Sequence, residues 1–364
     1  MSEAVTMAHA KNSYVVLAVL VLGLVLVLFS PEGIAFSAVG LVLGLSIVVL
    51  TSEPMVEGLR DFGLQMGFSP HVTGIISSLA SNLPEGVMTG FMVFSPELRE
   101  VAILTVMLAS AFNGLLLGLL VIMLTFRGEP IRLPKESMEQ DIEIMRIAIA
   151  LCGIVFGTGV ILNLFNTNQR AFLPIEVPVF LLLAYMSYLY FISRRTSQAE
   201  KRGADDGYPH EAKPHGRGWL APVLLGLVGI VIAAELIAGS TEYLVHMLDL
   251  HVVIAATVIG FAGSIPEHGI ALIGARKGHV ELGVSNLLSG ITQSIMLIFP
   301  LLALMVPVHL DGYVIYQFLA IAATLWIVKK SIIDDHRLTL DEGFSILLIH
   351  VLGILLFDEL SVLI

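Results

Sequence analysis

The sequence predicts an all-α polytopic membrane protein with about eleven transmembrane helices, and its composition is the first support. Only 13% of the 364 residues are charged and 56% are hydrophobic, whereas soluble globular domains carry about 25% charged residues. Long blocks lack Asp, Glu, Lys and Arg altogether: 12–31, 33–52, 101–126, 147–169 and 282–310. About 20 mostly apolar residues cross a bilayer, and no short alternating segments typical of a β-barrel replace them. This excludes an ordinary soluble enzyme, a disordered chain and a nucleic-acid binder.

The individual spans follow from charges and from Pro/Gly punctuation. They run roughly 14–30, 34–58, 71–94, 99–125, 144–164, 172–192, 219–246, 251–275, 280–306, 312–329 and 343–360. The first span follows Lys11 and is interpreted as a retained helix rather than a signal peptide, because no clean small-x-small cleavage site comes after it. The polar segment 194–217 reads as a solvated linker, and Cys152 has no second cysteine to pair with.

The basic residues predict the orientation of the spans. If the spans alternate, every one of the 19 Lys and Arg residues except Arg99 and Arg170 falls on the side of the N-terminus. Cytoplasmic loops carry such an excess of positive charge. The N-terminus and the linker are therefore predicted to be cytoplasmic and the C-terminus to lie outside.

Two segments of the chain resemble each other. Residues 75–91 read IISSLASNLPEGVMTGF and residues 257–273 read TVIGFAGSIPEHGIALI. Their alignment, with an offset of 182 residues, superposes Pro84 on Pro266 and Glu85 on Glu267, and it also places Glu53 on Glu235. A five-helix unit is odd, so its second copy enters the membrane from the other side, as in many secondary transporters. The predicted domains are an extra N-terminal helix at 1–33, a first five-helix repeat at 34–193, the linker at 194–217 and a second repeat at 218–364.

The Pro-Glu pairs place acids inside the third and eighth spans. Intramembrane carboxylates are costly and mark functional sites with a partner, and here each acid is the natural partner of the other across the repeat axis. Proline cannot donate to the carbonyl four residues earlier, which frees the oxygens of Ala80 and Ala262. Oxygen-bearing neighbours complete a candidate site for a hard cation such as Ca²⁺, which takes about 6–8 oxygen ligands: Ser81, Asn82, Gly263 and Ser264. Buried carboxylates that lose a cation favour protonation, so one pair of acids can exchange Ca²⁺ for protons.

The helices after each Pro-Glu pair carry further polar residues. Ser110 and Asn113 lie three residues apart, and Ser289 and Gln293 lie four apart, so each pair shares a helix face. Asn113 and Gln293 are interpreted as lining the site. For Ser110 and Ser289, site lining and ordinary interhelical contact both stay open.

Three other ionisable residues have open interpretations. His268 either tunes Glu267 and relays protons or is a hydrogen-bonded interior histidine. Glu53 and Glu235 either line two half-channels that draw cations in or lie at headgroup level without a role.

These residues resemble the calcium/cation antiporter superfamily, and more closely its Ca²⁺/H⁺ antiporter branch. That family carries Gly-Asn-x-x-Glu in each repeat, with His after the second Glu, and this chain reads SNLPE at 81–85 and GSIPEH at 263–268. The residues that match are Asn82, Gly263, Glu85, Glu267 and His268. Gln293 resembles the branch's glutamine, and the acid and glycine at 342–343 resemble its Glu-Gly before the final span. The resemblance implies a one-plus-five-plus-five fold, antiport and no bound cofactor.

These motifs do not decide whether the coupling ion is H⁺ or Na⁺. Proline before each Glu, together with Ser264, is more like the Na⁺/Ca²⁺ exchanger branch. Gln293 in place of an acid and eleven spans rather than ten favour H⁺. The expected partners are thus Ca²⁺ with H⁺ or Na⁺ as substrates and the lipid bilayer; the motifs do not indicate an oligomeric state.

Two other classes of function fit the sequence less well. An intramembrane enzyme would need a motif such as HExxH or GxSxG, and neither is present. A channel usually builds its pore from oligomeric symmetry, whereas this chain carries its own inverted pair.

Overall fold

A computed structural model gives the architecture of the chain. It describes residues 2–29, 33–66, 70–126, 128–133, 138–165, 171–201, 218–248, 252–276, 280–356 and 360. The helices are α1 (Ser2–Phe29), α2 (Ile34–Gln65), α3 (Pro70–Phe94), α4 (Arg99–Thr125), α5 (Glu139–Phe165), α6 (Glu176–Lys201), α7 (Leu220–Leu248), α8 (Val252–Gly263), α9 (Ile265–Arg276), α10 (Val280–Gln293), α11 (Phe299–Met305), α12 (Gly312–Asp334) and α13 (Leu340–Leu355). The all-α fold class is confirmed. Most of the predicted linker, residues 202–217, lies outside the described residues.

Six helical segments among the described residues are long and apolar enough to cross a membrane. They are Ile34–Gly63, Arg99–Thr125, Asp141–Phe165, Leu220–Leu248, Gly283–Met305 and Gly312–Asp334. Shorter apolar helices cover Val15–Phe29, Glu176–Ile192 and Val252–Gly263. Each predicted span therefore coincides with helix, and the chain is an integral membrane protein.

The chain divides into two compact units. The first contains Met1–Ala102 and Ala199–Pro266, and the second contains Ile103–Gln198 and Glu267–Ile364. Each unit takes helices from both predicted repeats. The predicted repeats at 34–193 and 218–364 were defined by sequence similarity, and they do not coincide with the compact units. The repeat boundaries stay a prediction.

The first unit is built on two long helices, α2 and α7, that cross through glycines. A Cβ added at Gly44 would lie 2.7 Å from Ile237 Cγ1, and one added at Gly226 would lie 2.8 Å from Met55 Cγ. Small residues of this kind let membrane helices approach closely. The contacts advance along α2 as they recede along α7, so the two helices run antiparallel.

This crossing also carries the internal symmetry of the sequence. The offset of 182 residues converts Gly44 into Gly226 and Met55 into Ile237, so it exchanges the two glycine contacts with each other. A two-fold axis between inverted copies makes each contact from α2 to α7 recur as the equivalent contact from α7 to α2, as seen here. The packing of α2 on α7 thus agrees with the inverted arrangement of the repeats.

We expect Gly226→Ala to destabilise the protein, because the new methyl group would overlap the inner part of the Met55 side chain. Overpacking of this kind costs about 1–3 kcal/mol. Gly239→Ala on the same helix is the matched control, since its added Cβ meets nothing within 4 Å. Thermal unfolding in detergent should show a lower midpoint for Gly226→Ala alone; equal midpoints for both variants would contradict the close crossing.

The second unit holds its helices together by a different set of close contacts. On α5, an added Cβ at Gly159 would lie 2.8 Å from Ile315 of α12. The side chain of Asn163 donates to the carbonyl of Leu310 at 2.9 Å. The loop between α4 and α5 pairs with the loop between α12 and α13, because Ile131–Arg132 (β1) and Arg337–Leu338 (β2) form a short antiparallel ribbon.

Two helices predicted to be continuous are interrupted. The span predicted at 251–275 divides into α8 and α9 at Ser264, whose hydroxyl donates to the carbonyls of Gly260 and Phe261 at 3.0 Å. In the span at 280–306, a π-helical turn, Ser294–Ile298, separates α10 from α11. Pro300 lies in the first turn of α11 and has no N–H to continue the ladder. Such π turns recur at functional sites.

Candidate functional site

The first motif lies on α3, which continues through Pro84 without a break. Glu85 is 1% exposed. Its neighbours Ser81 and Asn82 are also buried, and both donate to the carbonyl of Ser78, at 2.8 and 3.1 Å. These bonds fix the two side chains on the turn before Glu85. Ala80, whose carbonyl Pro84 cannot satisfy, is buried beside them.

The end of α8 approaches Glu85 within the same unit. A Cβ added at Gly263 would lie 3.8 Å from both Cβ and Cγ of Glu85. Ala262, Gly263 and Ser264 are all buried there. The end of α8 therefore lies near the aliphatic part of the Glu85 side chain, and the predicted site that joins the two motifs stays a prediction.

In the second unit, Glu267 and Asn113 converge on a glycine. Glu267 is 1% exposed and Asn113 is fully buried. A Cβ added at Gly290 of α10 would lie 2.5 Å from Asn113 Nδ2 and 3.4 Å from Glu267 Cγ. The amide of Asn286, one turn earlier on α10, donates to the Glu267 carbonyl at 3.0 Å. The glycine gives the space in which the carboxylate and the amide lie side by side.

Further oxygen-bearing side chains lie on the same helices, α4 and α10. Gln293 is buried, and its amide donates to the Ser289 hydroxyl at 2.9 Å. Ser110 Oγ and both amide atoms of Asn113 are buried without a hydrogen-bond partner among the described residues. Buried polar groups are normally paired, so such atoms indicate a ligand. The structure thus brings Asn113 to Glu267 and places Gln293 with Ser289.

Three predicted site residues have less definite positions. His268 is buried, 8% exposed, directly after Glu267. Glu235 lies in the middle of α7 with an exposed side chain. Glu53 lies on α2, and its side chain is outside what the structure describes. The half-channel role of the two acids stays a prediction.

Sequence reasoning noted Asn286 only as a further polar residue of the ninth span and missed Gly290. Together with Gln293 they repeat at i, i+4 and i+7, which puts all three on one face of α10. That periodicity was the signal available in the sequence. A glycine between polar residues on such a face is a sign of close approach rather than of flexibility.

The donor set is poor in charge. Among the described residues, no group of three or more His, Cys, Asp or Glu is arranged to hold a metal ion. Tight structural metal sites usually gather such ligands. Carboxylate, carbonyl, hydroxyl and amide oxygens are the ligand types that hard cations take.

Buried acids on interrupted or proline-bearing membrane helices, with inverted packing of α2 on α7, define a secondary transporter of the antiporter class. The family described as "sodium/calcium exchanger protein" matches residues 36–194 and 219–357, and the chain belongs to that family. The resemblance to the calcium/cation antiporter superfamily is thereby confirmed.

Individual relatives agree with this assignment. The chain is 24% identical to the inner membrane protein YrbG of Escherichia coli (strain K12) over 279 residues, which are 74% of this chain and 80% of YrbG. It is 23% identical to a Ca²⁺/H⁺ antiporter of Synechocystis over 311 residues, 77% of this chain and 81% of that protein. Its fold is similar to a crystal structure titled as the H⁺/Ca²⁺ exchanger CAX, with a TM-score of 0.72, 14% identity, and coverage of 95% of this chain and 88% of that one.

Proposed function

We propose that this protein exchanges Ca²⁺ for H⁺ across its membrane, with Glu85 and Glu267 as the two carboxylates of one exchange site. The observation that carries the proposal is the burial of one acid in each repeat, each beside neutral oxygen donors. Two carboxylates balance one divalent ion. Without the ion, burial makes the charged form of each acid costly, so protons take its place.

The relatives support Ca²⁺ and H⁺ as the exchanged ions. The Synechocystis relative is named as a Ca²⁺/H⁺ antiporter, and the solved structure with the similar fold is titled as an H⁺/Ca²⁺ exchanger. In this chain Gln293 occupies the face of α10 near Ser289. A neutral amide there leaves two acids in the predicted site, which two protons would neutralise.

Alternating access gives the exchange its mechanism. We assign the moving part to the α2–α7 pair, because each helix leads into one motif and the pair is held together by its own glycine contacts. Movement of this pair would expose the site first to one side and then to the other. With the predicted topology, Glu53 would face the cytoplasmic half-channel and Glu235 the outer one.

Na⁺/Ca²⁺ exchange is the second candidate. Proline precedes both acids, and the hydroxyl of Ser264 lies at the helix break as a neutral oxygen donor. The family description names sodium and calcium.

A transport assay separates the two functions. Purified protein in sealed proteoliposomes should take up Ca²⁺ when a pH gradient is imposed in Na⁺-free buffer, and the rate should saturate with Ca²⁺. Uptake that follows an imposed Na⁺ gradient and ignores the pH gradient would overturn H⁺ coupling and establish the second candidate. Flux that needs neither gradient and does not saturate would overturn exchange altogether in favour of a channel.

A further inference from the structure

A buried histidine outside the predicted site lies where three helices of the second unit meet. His350 of α13 is fully buried, and its Nε2 forms a hydrogen bond of 2.9 Å with the hydroxyl of Thr324 on α12. The other ring nitrogen, Nδ1, has no hydrogen-bond partner among the described residues. The position of the ring is therefore set by one hydrogen bond and by packing.

The third helix at this point is α4. A Cβ added at Gly114 would overlap the imidazole, with His350 Cδ2 at 2.6 Å and Cε1 at 2.7 Å. The ring thus rests directly on the α4 backbone, and only glycine leaves room for it. A residue with a Cβ at position 114 would therefore clash with the imidazole ring at position 350.

The same two helices are locked together one turn further along. A Cβ added at Gly118 would lie 2.6 Å from the Leu347 nitrogen and 2.9 Å from the Gly343 oxygen. A Cβ added at Gly343 would lie 2.9 Å from Val121 Cγ1. Backbone-to-backbone contact of this kind leaves little freedom for sliding. The α4–α13 seam, formed by Gly114, Gly118, Gly343 and His350, therefore holds α4 in a defined place.

The α4–α13 seam and the proposed cation site are adjacent on α4. Asn113 directly precedes Gly114, and successive residues of a helix point about 100° apart. Gly114 faces His350 of α13, whereas Asn113 faces Gly290 of α10 beside Glu267. Asn113 has no hydrogen bond of its own among the described residues. Its position consequently depends on where the α4 backbone is held.

We propose that His350 is a positioning residue for the cation site, wedged between Thr324 and Gly114 so that it fixes the α4 backbone that carries Asn113. This inference rests on the proposed function, since it takes Asn113 as part of the site. His350 does not touch the transported ion; it acts through α4. The bond to Thr324 keeps the ring on Gly114 instead of letting it rotate away.

The test changes the side-chain sizes at positions 114 and 350 and measures Ca²⁺ uptake in proteoliposomes. His350→Ala should raise the KM for Ca²⁺ about tenfold, the scale seen when groups that orient metal ligands are removed, while the maximal rate changes little. Gly114→Ala should raise KM as well, because the ring is displaced. The double variant Gly114→Ala/His350→Ala should lie closer to wild type than either single variant, since a methyl group then occupies part of the ring's space.

Two further variants separate positioning from general stability. Thr324→Val should raise KM in the same direction and Thr324→Ser should not, because only serine keeps the hydroxyl. Ile346→Ala, one turn away on α13 and equally buried, opens a cavity, and Ile346 is not among the nearest neighbours of an added Cβ at Gly114. It should lower the unfolding temperature and leave KM unchanged.

The outcomes distinguish this inference from the proposed function. If wild-type protein transports Ca²⁺ but His350→Ala changes only the unfolding temperature, as Ile346→Ala does, the positioning role is wrong and the exchanger remains. Single variants whose effects simply add in the double variant would also overturn it. Wild-type protein that shows no Ca²⁺ transport would overturn the proposed function, and the role of His350 with it.

Discussion

Glu85→Gln and Glu267→Gln should each abolish Ca²⁺ exchange while the protein stays folded. Each change removes one of the two negative charges that would balance the ion, at nearly constant side-chain volume. Breaking a buried charge interaction costs about 3 kcal/mol or more, which corresponds to about 100-fold in affinity or beyond. Both side chains are 1% exposed, so water cannot substitute for the lost carboxylate.

The measurement is Ca²⁺ uptake into proteoliposomes, with the unfolding temperature in detergent as the check on folding. Glu100→Gln is the matched control, because this acid is exposed in the first turn of α4 and loses the same charge. Uptake near the wild-type rate in either Glu85→Gln or Glu267→Gln would show that the exchange site lies elsewhere. A loss of uptake in Glu100→Gln would point to a general effect of charge.

The helices were predictable because the amino-acid composition of a segment largely determines whether it spans a membrane. Blocks without charges are long enough to cross a bilayer, and their ends coincide with polar residues at which the environment changes. One difference in a helix boundary has a clear physical cause. Helix α5 begins at Glu139 rather than near 144, because acids in the first turn stabilise a helix start and extend it beyond the apolar block.

The departures from regular helix were not predictable from hydrophobicity. Pro84 and Pro266 occupy equivalent positions, yet α3 continues while the second motif breaks at Ser264. Proline removes one hydrogen bond in both copies. At the position of the break Ser264 replaces Asn82, and both side chains donate to the carbonyl four residues earlier, so neither the proline nor this bond distinguishes the two copies.

The residues of the candidate site also fall into those that could be predicted from the sequence and those that could not. Chemistry-bearing residues such as Glu85, Glu267 and Asn113 could be chosen from the sequence, because burying them in a membrane is costly without a function. The residues that shape the site could not. Gly290 and Gly114 carry no chemistry, and their importance appears only when the side chains of other helices are seen to occupy the space above them.

Gly290→Ala should weaken Ca²⁺ transport strongly without unfolding the protein. The added methyl group would lie 2.5 Å from Asn113 Nδ2, which is the free end of a side chain and can move away. The fold therefore tolerates the change, but Asn113 must leave its place beside Glu267. Loss of an oriented ligand costs about 10–100-fold in metal affinity, so the KM for Ca²⁺ should rise by about that factor.

The comparison that decides this prediction is with Gly153→Ala and Gly157→Ala on α5. Both are helical glycines of the same unit, and an added Cβ at either meets nothing within 4 Å. These controls share the gain in helix propensity, about 1 kcal/mol per residue, without reaching the site. We expect unchanged KM in both controls and a raised KM in Gly290→Ala at equal unfolding temperature. A Gly290→Ala variant with wild-type KM would show that the contact of Asn113 with Glu267 across Gly290 has no part in binding the cation.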